Sequence, residues 1–252
     1  MPFFSSAGVD LAYELAGEGP AVVLIHGFAS NAKVNWIDTG WVKTLTEGGY
    51  LALTFDNRGH GRSSKLYDPG AYPAPVMAED ARRLIAHLGL ESVAVIGYSM
   101  GARIAAFLAI QHPSVVSRAV LAGLAENLIR GLGGSEEIAQ ALEAENADRA
   151  ATREARDFRK FAERTGSDLR ALAACMRSAR QRISVAELAL ITSPVLVVAG
   201  GLDSVAGPVA PLVKALANAT GLTLDGRNHM SAVGDRQFKS AVLEFLAPIR
   251  TG

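Results

Sequence analysis

The chain has 252 residues, 49% of them hydrophobic and 20% charged, with 25 basic against 25 acidic side chains. This composition suits a globular chain with one well-buried core and argues against disorder. The balanced charge offers no general attraction to nucleic acid or to an anionic membrane surface, and the single cysteine, Cys175, excludes an intrachain disulfide and a thiolate metal cluster.

The start, "MPFFSSAGVDLAYELAGEGP", lacks the basic and long apolar regions of a signal peptide. No uncharged apolar run reaches the roughly 20 residues of a membrane helix, so a cytoplasmic protein is expected. The segment "FFSSAGVDLAYELAG" reads as a hairpin at an antiparallel sheet edge. Strand-length apolar runs follow at residues 21–27, 50–56, 92–97, 118–123, 194–201 and 221–226, each ending at a turn residue or an acid. Continuous apolar runs rich in β-branched residues suit strands covered on both faces. Helical patterns lie between them, among them "PVMAEDARRLIAHLG" and "MGARIAAFLAIQHP", the second stopped by Pro113. The alternation predicts an α/β fold with a mostly parallel, doubly wound sheet.

The rhythm breaks between about residues 124 and 191, where no strand is legible and Ala, Glu and Arg dominate. Three or four helices are expected there, with Asp148 and Ser167 as N-caps and Gly166 as a C-cap. The insertion leaves from the C-terminal edge of a sheet, where such folds bind ligands, and is read as an all-helical cap over a pocket. The domain division is therefore a core of residues 1–123 and 191–252 with a cap insertion at 124–190.

The chemistry centres on Gly97-Tyr98-Ser99-Met100-Gly101, set between "VAVI" and "ARIAAFLAI". Gly-x-Ser-x-Gly between a strand and a helix is the nucleophile elbow, in which a tight turn exposes the serine hydroxyl above a helix N-terminus. Large side chains two positions before or after the serine would collide with that turn. Serine needs a base. Of the five histidines, His229 in "DGRNHMSAVGD" follows the last predicted strand, at the same sheet edge as Ser99. His87 lies on a helical pattern, His112 at a helix end, and His26 and His60 in glycine-flanked loops. The base needs an acid. Asp203 follows "PVLVVAGG" and gives the order Ser–Asp–His; Glu126 and Asp225 are the rival acids. The oxyanion donors are read as the N–H groups of Met100 and of Phe28 in "LIHGFAS". No metal or organic cofactor is implied, and Cys175 is read as a buried thiol on a helix face.

Taken together, His26-Gly27-Phe28, the run "DNRGHGRS" from Asp56 to Ser63, the Ser99 elbow, Asp203 and His229 resemble the α/β-hydrolase superfamily over nearly the whole chain. The likeness is strongest to small bacterial hydrolases with a helical cap, including esterases, lactonases and cofactor-free haloperoxidase-like enzymes. It implies a serine hydrolase acting on a small-molecule ester or lactone through an acyl-enzyme. The same residues also serve lactone opening, C–C bond hydrolysis or perhydrolysis, and a ligand receptor on the same fold is a further alternative. The resemblance makes "DxRGxGxS" a structural loop, leaving Arg58 and His60 outside the catalytic set. Haloalkane dehalogenation is disfavoured, because that chemistry in this family uses a carboxylate where Ser99 stands.

Overall fold

A strand such as Ala21–Ile25 carries no polar residue, so both of its faces have to be covered. A computed structural model, which describes residues 2–131, 133–178 and 182–247, shows how the chain does this. The hairpin β1 (Phe3–Ser6) and β2 (Val9–Ala16) leads into β3 (Ala21–Ile25), α1 (Trp41–Glu47), β4 (Leu51–Phe55) and α2 (Ala74–His87). Then come β5 (Val93–Tyr98), α3 (Met100–Gln111) and β6 (Val116–Ala122). After a helical stretch follow β7 (Val195–Gly200), α9 (Val209–Ala215), β8 (Ala219–Leu224), α10 (His229–Ala232) and α11 (Arg236–Leu246). Each predicted inner strand forms, its ends within two residues of the expected ones.

The sheet order is β1-β2-β4-β3-β5-β6-β7-β8. The β1–β2 and β2–β4 pairs are antiparallel and the rest parallel, with the hairpin at one edge as expected. The chain runs from β3 outward to β4, then crosses back to β5 on the other side of β3. That reversal opens a crevice at the C-terminal ends of β3 and β5, the place where such sheets bind ligands. Alternate strand residues face opposite layers. Val23, Ile25, Val95 and Val197 pack with α2, α3 and α9, while Val22, Leu24, Ile96 and Val198 pack with α1 and α11. On α11, Phe238, Val242 and Leu246 recur every four residues as one buried stripe, each contributing about 1.5–3 kcal/mol. A buried bidentate pair, Arg58 to Asp80 at 2.6 and 2.7 Å, ties the loop after β4 to α2.

Between β6 and β7 the described residues form five helices rather than three or four: α4 (Glu126–Arg130), α5 (Ser135–Glu143), α6 (Arg153–Arg164), α7 (Leu169–Arg177) and α8 (Val185–Leu188). The two short ones pack with the sheet's own apolar cluster through Leu128 and Leu188. The three longer ones share a separate cluster with Phe28 and Tyr72 from the core. The cap positions differ by a residue or more from the expected ones. Thr152 caps α6 and Asp168 caps α7, while Asn146 caps a short turn that contains Asp148. Asp168 takes the place of Ser167 because its carboxylate reaches the N–H of Ala171 at 2.9 Å. Gly166 does follow α6, with φ +64°. Arg159 joins α6 to α5 by donating to the carbonyls of Ala141, Leu142 and Ala144 at 2.8–3.0 Å, satisfying acceptors that a helix end leaves open.

Candidate active site

The elbow begins with backbone geometry. Ser99 has φ +55° and ψ −115°, a conformation that non-glycine residues rarely hold, and its N–H donates to the Ala122 carbonyl at 2.7 Å. Gly97 is needed for the expected reason, a clash within the turn, and Gly101 for a different one. A Cβ on Gly97 would strike the carbonyl of Gly101, and a Cβ on Gly101 would strike the carbonyl of Ile25 at the end of β3. Gly101 thus lets α3 start directly against the neighbouring strand. Ser99 is the N-cap residue of α3, yet its hydroxyl does not cap the helix. It is turned instead toward an imidazole, with Oγ 3.1 Å from His229 Nε2.

His229 Nδ1 lies 2.9 Å and 3.1 Å from the two carboxylate oxygens of Asp203. With Nδ1–H donating to the carboxylate, Nε2 keeps its lone pair facing the Ser99 hydroxyl. The Asp203 side chain is fully buried, and Oδ1 also accepts the N–H groups of Val205 and Ala206 at 3.0 and 2.9 Å. His229 is not in an open loop. It opens the one-turn helix α10, capped by Asn228, whose side chain accepts from the N–H of Met230 and Ser231. The rival acids stand elsewhere: Glu126 pairs with Arg130 at 3.4 Å, and Asp225 is exposed beyond β8.

The loop after β3 passes over the elbow so closely that a Cβ on Gly27 would lie 3.4 Å from Ser99 Cβ. It forms a turn, with Ser30 N–H donating to the Gly27 carbonyl at 3.3 Å and Ala29 at φ +57°. His26 Nδ1 donates to the same carbonyl at 2.8 Å, and its Nε2 accepts the Asn57 N–H at 2.9 Å. That arrangement requires a neutral ring, and burial lowers the His26 pKa to about 4. His60, also buried, is lowered to about 3, mainly by burial and further by His26 beside it. In the trans peptide 27–28 the N–H of Phe28 points opposite the Gly27 carbonyl, away from His26. Met100, the first residue of α3, has an N–H with no intrahelical acceptor.

Ser99 opens onto two spaces. One is a narrow cavity of about 60 Å³ among Tyr72, Met77, Met100, Ile138, Cys175 and Met176. The other is an open cleft of about 1240 Å³ that also reaches His229, Met230 and the α6 side chains of Phe158 and Phe161. Cys175 is buried on α7 as expected, but it also forms part of the cavity wall, its Sγ 4.0 Å from Met100 Sδ. His112 caps α3 and pairs with Glu79, and exposed His87 packs its ring on Phe4. Tyr98 escaped the sequence reading. Its hydroxyl donates to the His229 carbonyl at 2.5 Å, and burial pushes that phenol well above its usual pKa. The signal was its place beside the nucleophile in the elbow.

A family model described as "alpha/beta hydrolase fold" matches residues 20–135. A non-heme chloroperoxidase of Kitasatospora aureofaciens is 35% identical over 94 residues, which are 37% of this chain and 32% of that protein. The chain spans about a third of the length of the curated relatives it matches. Among solved structures, a hydrolase from Pseudomonas aeruginosa PA01 is 27% identical, covers 98% of both chains and superposes with a TM-score of 0.76. An esterase from Exiguobacterium antarcticum has the same fold at 21% identity, covering 96% of this chain and 98% of that one, with a TM-score of 0.80. On its sheet order, its elbow and these likenesses, the chain has the α/β-hydrolase fold.

Proposed function

We propose that the protein is a serine hydrolase of small carboxylic esters. The observation that carries this reading is the run of hydrogen bonds from Ser99 Oγ through His229 to the buried Asp203, at 3.1 and 2.9 Å. Ser99 attacks the acyl carbon as His229 Nε2 takes its proton, and the imidazolium is stabilised by Asp203. The negative oxygen is held by the N–H groups of Phe28 and Met100, aided by the α3 N-terminus. His229 then returns the proton to the leaving alcohol. Water, activated by the same histidine, releases the acyl group and regenerates Ser99. No cofactor enters these steps.

The two spaces beside Ser99 support a division of the ester between them. His229, which must reach the leaving oxygen, lines the wide cleft and not the narrow cavity, so the alcohol leaves through the cleft. The acyl chain fits the narrow cavity of about 60 Å³. At ~10–15 Å³ per water-sized group this takes about four to six non-hydrogen atoms, an acyl group of a few carbons. Helices α5–α7, the core of the insertion at 124–190, act as the cap: all three line the narrow cavity, and α6 lines the cleft as well. Lactone opening, C–C bond hydrolysis and perhydrolysis use the same residues, and the likeness to a chloroperoxidase keeps the last in view.

The test is hydrolysis of p-nitrophenyl acetate, butyrate and octanoate, beside a lactone panel and peroxide with acetate. Wild type is expected to cleave acetate and butyrate well and octanoate poorly. Ser99→Ala is expected to lower kcat by about 10⁴–10⁶. Full activity in that variant would end the serine mechanism.

A further inference from the structure

The oxyanion loop is held from two sides, and one of them is the helical segment. At the end of α6, Thr165 Oγ1 donates to the carbonyl of Ala29 at 2.9 Å. Ala29 is one of three non-glycine residues with positive φ among the described residues, and it is fully buried. The peptide that carries its carbonyl also carries the Ser30 N–H, which donates to the Gly27 carbonyl at 3.3 Å. The Gly27 peptide in turn ends in the Phe28 N–H. Hydroxyl, peptide and peptide therefore form one head-to-tail series from Thr165 to Phe28, in which each carbonyl accepts and each N–H donates. Such series polarise cumulatively, and each bond fixes the plane of the next peptide.

We infer that Thr165 is a positioning residue for catalysis: its hydroxyl anchors the strained Ala29 peptide and so sets the direction of the Phe28 N–H toward the oxyanion. The inference rests on the serine-hydrolase reading. Ser167 Oγ lies 2.8 Å from Thr165 Oγ1, where either hydroxyl can donate, and is itself 3.5 Å from the Ala29 carbonyl, so the shorter bond to that carbonyl is the threonine's. The alternative acceptor is the Ala162 carbonyl, 3.0 Å away in the same helix turn. The Ala162 carbonyl already accepts the Ser167 N–H at 3.0 Å, so the hydroxyl's donation counts for more at Ala29. Alignment of the oxyanion donor thereby depends on the docking of the α6–α7 turn, and the helical segment contributes to the chemistry as well as to the walls of the cleft.

The experiment compares wild type, Thr165→Val, Thr165→Ser and Ser99→Ala, with p-nitrophenyl butyrate as substrate and backbone amide exchange of the loop measured by NMR. Thr165→Val is expected to lower kcat about tenfold, the worth of one net hydrogen bond, with KM within about twofold. Exchange of the Ser30 amide is expected to quicken by a similar factor, and Thr165→Ser to restore both. An unchanged kcat, a loss confined to KM, or a serine variant as poor as the valine one would overturn the inference. Activity retained in Ser99→Ala would remove the serine-hydrolase reading instead. In that case the exchange rate alone decides whether Thr165 holds the loop, and an unchanged Ser30 rate refutes it.

Discussion

Lowering the pH from 7 to 5 should destabilise this fold through two buried histidines, and the size of the effect follows from their surroundings. His26 and His60 lie fully buried side by side, with ring centroids 5.3 Å apart. Their pKa values fall from 6.5 in the unfolded chain to about 4 and about 3 in the folded one. As pH falls below 6.5 the unfolded chain takes up protons that the folded chain refuses, so the stability present above that pH is lost progressively toward pH 4 and 3. At pH 5 each site is 1.5 units below its unfolded value, and at 1.36 kcal/mol per unit the two together cost about 4 kcal/mol. Glu79 and Asp235, whose pKa values are lowered in the fold, lose their contributions only as pH falls through their unfolded values of 4.5 and 3.8, below this window. Urea unfolding at pH 7, 6 and 5 measures the loss, with the slope against denaturant unchanged. In His60→Asn the pH dependence should fall by about half, since one of the two sites is gone. A stability that varies by less than about 1 kcal/mol between pH 7 and 5 would refute the reasoning.

Two substitutions probe other parts of the account. Asp80→Ala leaves the buried Arg58 guanidinium and the Ser6 hydroxyl without their carboxylate partner, and should cost about 3–5 kcal/mol in thermal or urea unfolding. Asp203→Asn keeps the shape of the side chain but can no longer fix the His229 tautomer. Ester hydrolysis should drop by about 10⁴ in kcat while the melting temperature stays near wild type.

The parts of the fold that were legible in sequence are those whose cause is local. Apolar runs such as "AVVLI" and "VLVVAG" announce buried strands by themselves, and the steric demands of a tight turn write Gly97 and Gly101 around Ser99. Choosing among the acids was not local. Asp203 and Glu126 both follow strands, and only the folding of residues 203–206 around the Asp203 carboxylate aims it at His229. The one-turn helix at His229 was hidden because its stability comes from a reciprocal cap between Asn228 and Ser231 rather than from any periodicity. Thr165 and Tyr98 were hidden for a different reason. Their partners, Ala29 and His229, lie more than 100 residues away in the chain, and no spacing rule reaches that far. The helix caps at 152 and 168 were missed by small offsets, since several adjacent Ser, Thr and Asp residues compete for the same role.

Acylation of Ser99 is directly measurable. Mixing the protein with p-nitrophenyl butyrate, quenching in acid within milliseconds and mapping peptides by mass spectrometry should reveal a butyryl group on Ser99. The adduct should be absent from Ser99→Ala and should disappear from wild type as substrate is exhausted. Continued turnover with the acyl group on another residue, or with no covalent adduct at any quench time under conditions where deacylation is slowed, would contradict the account.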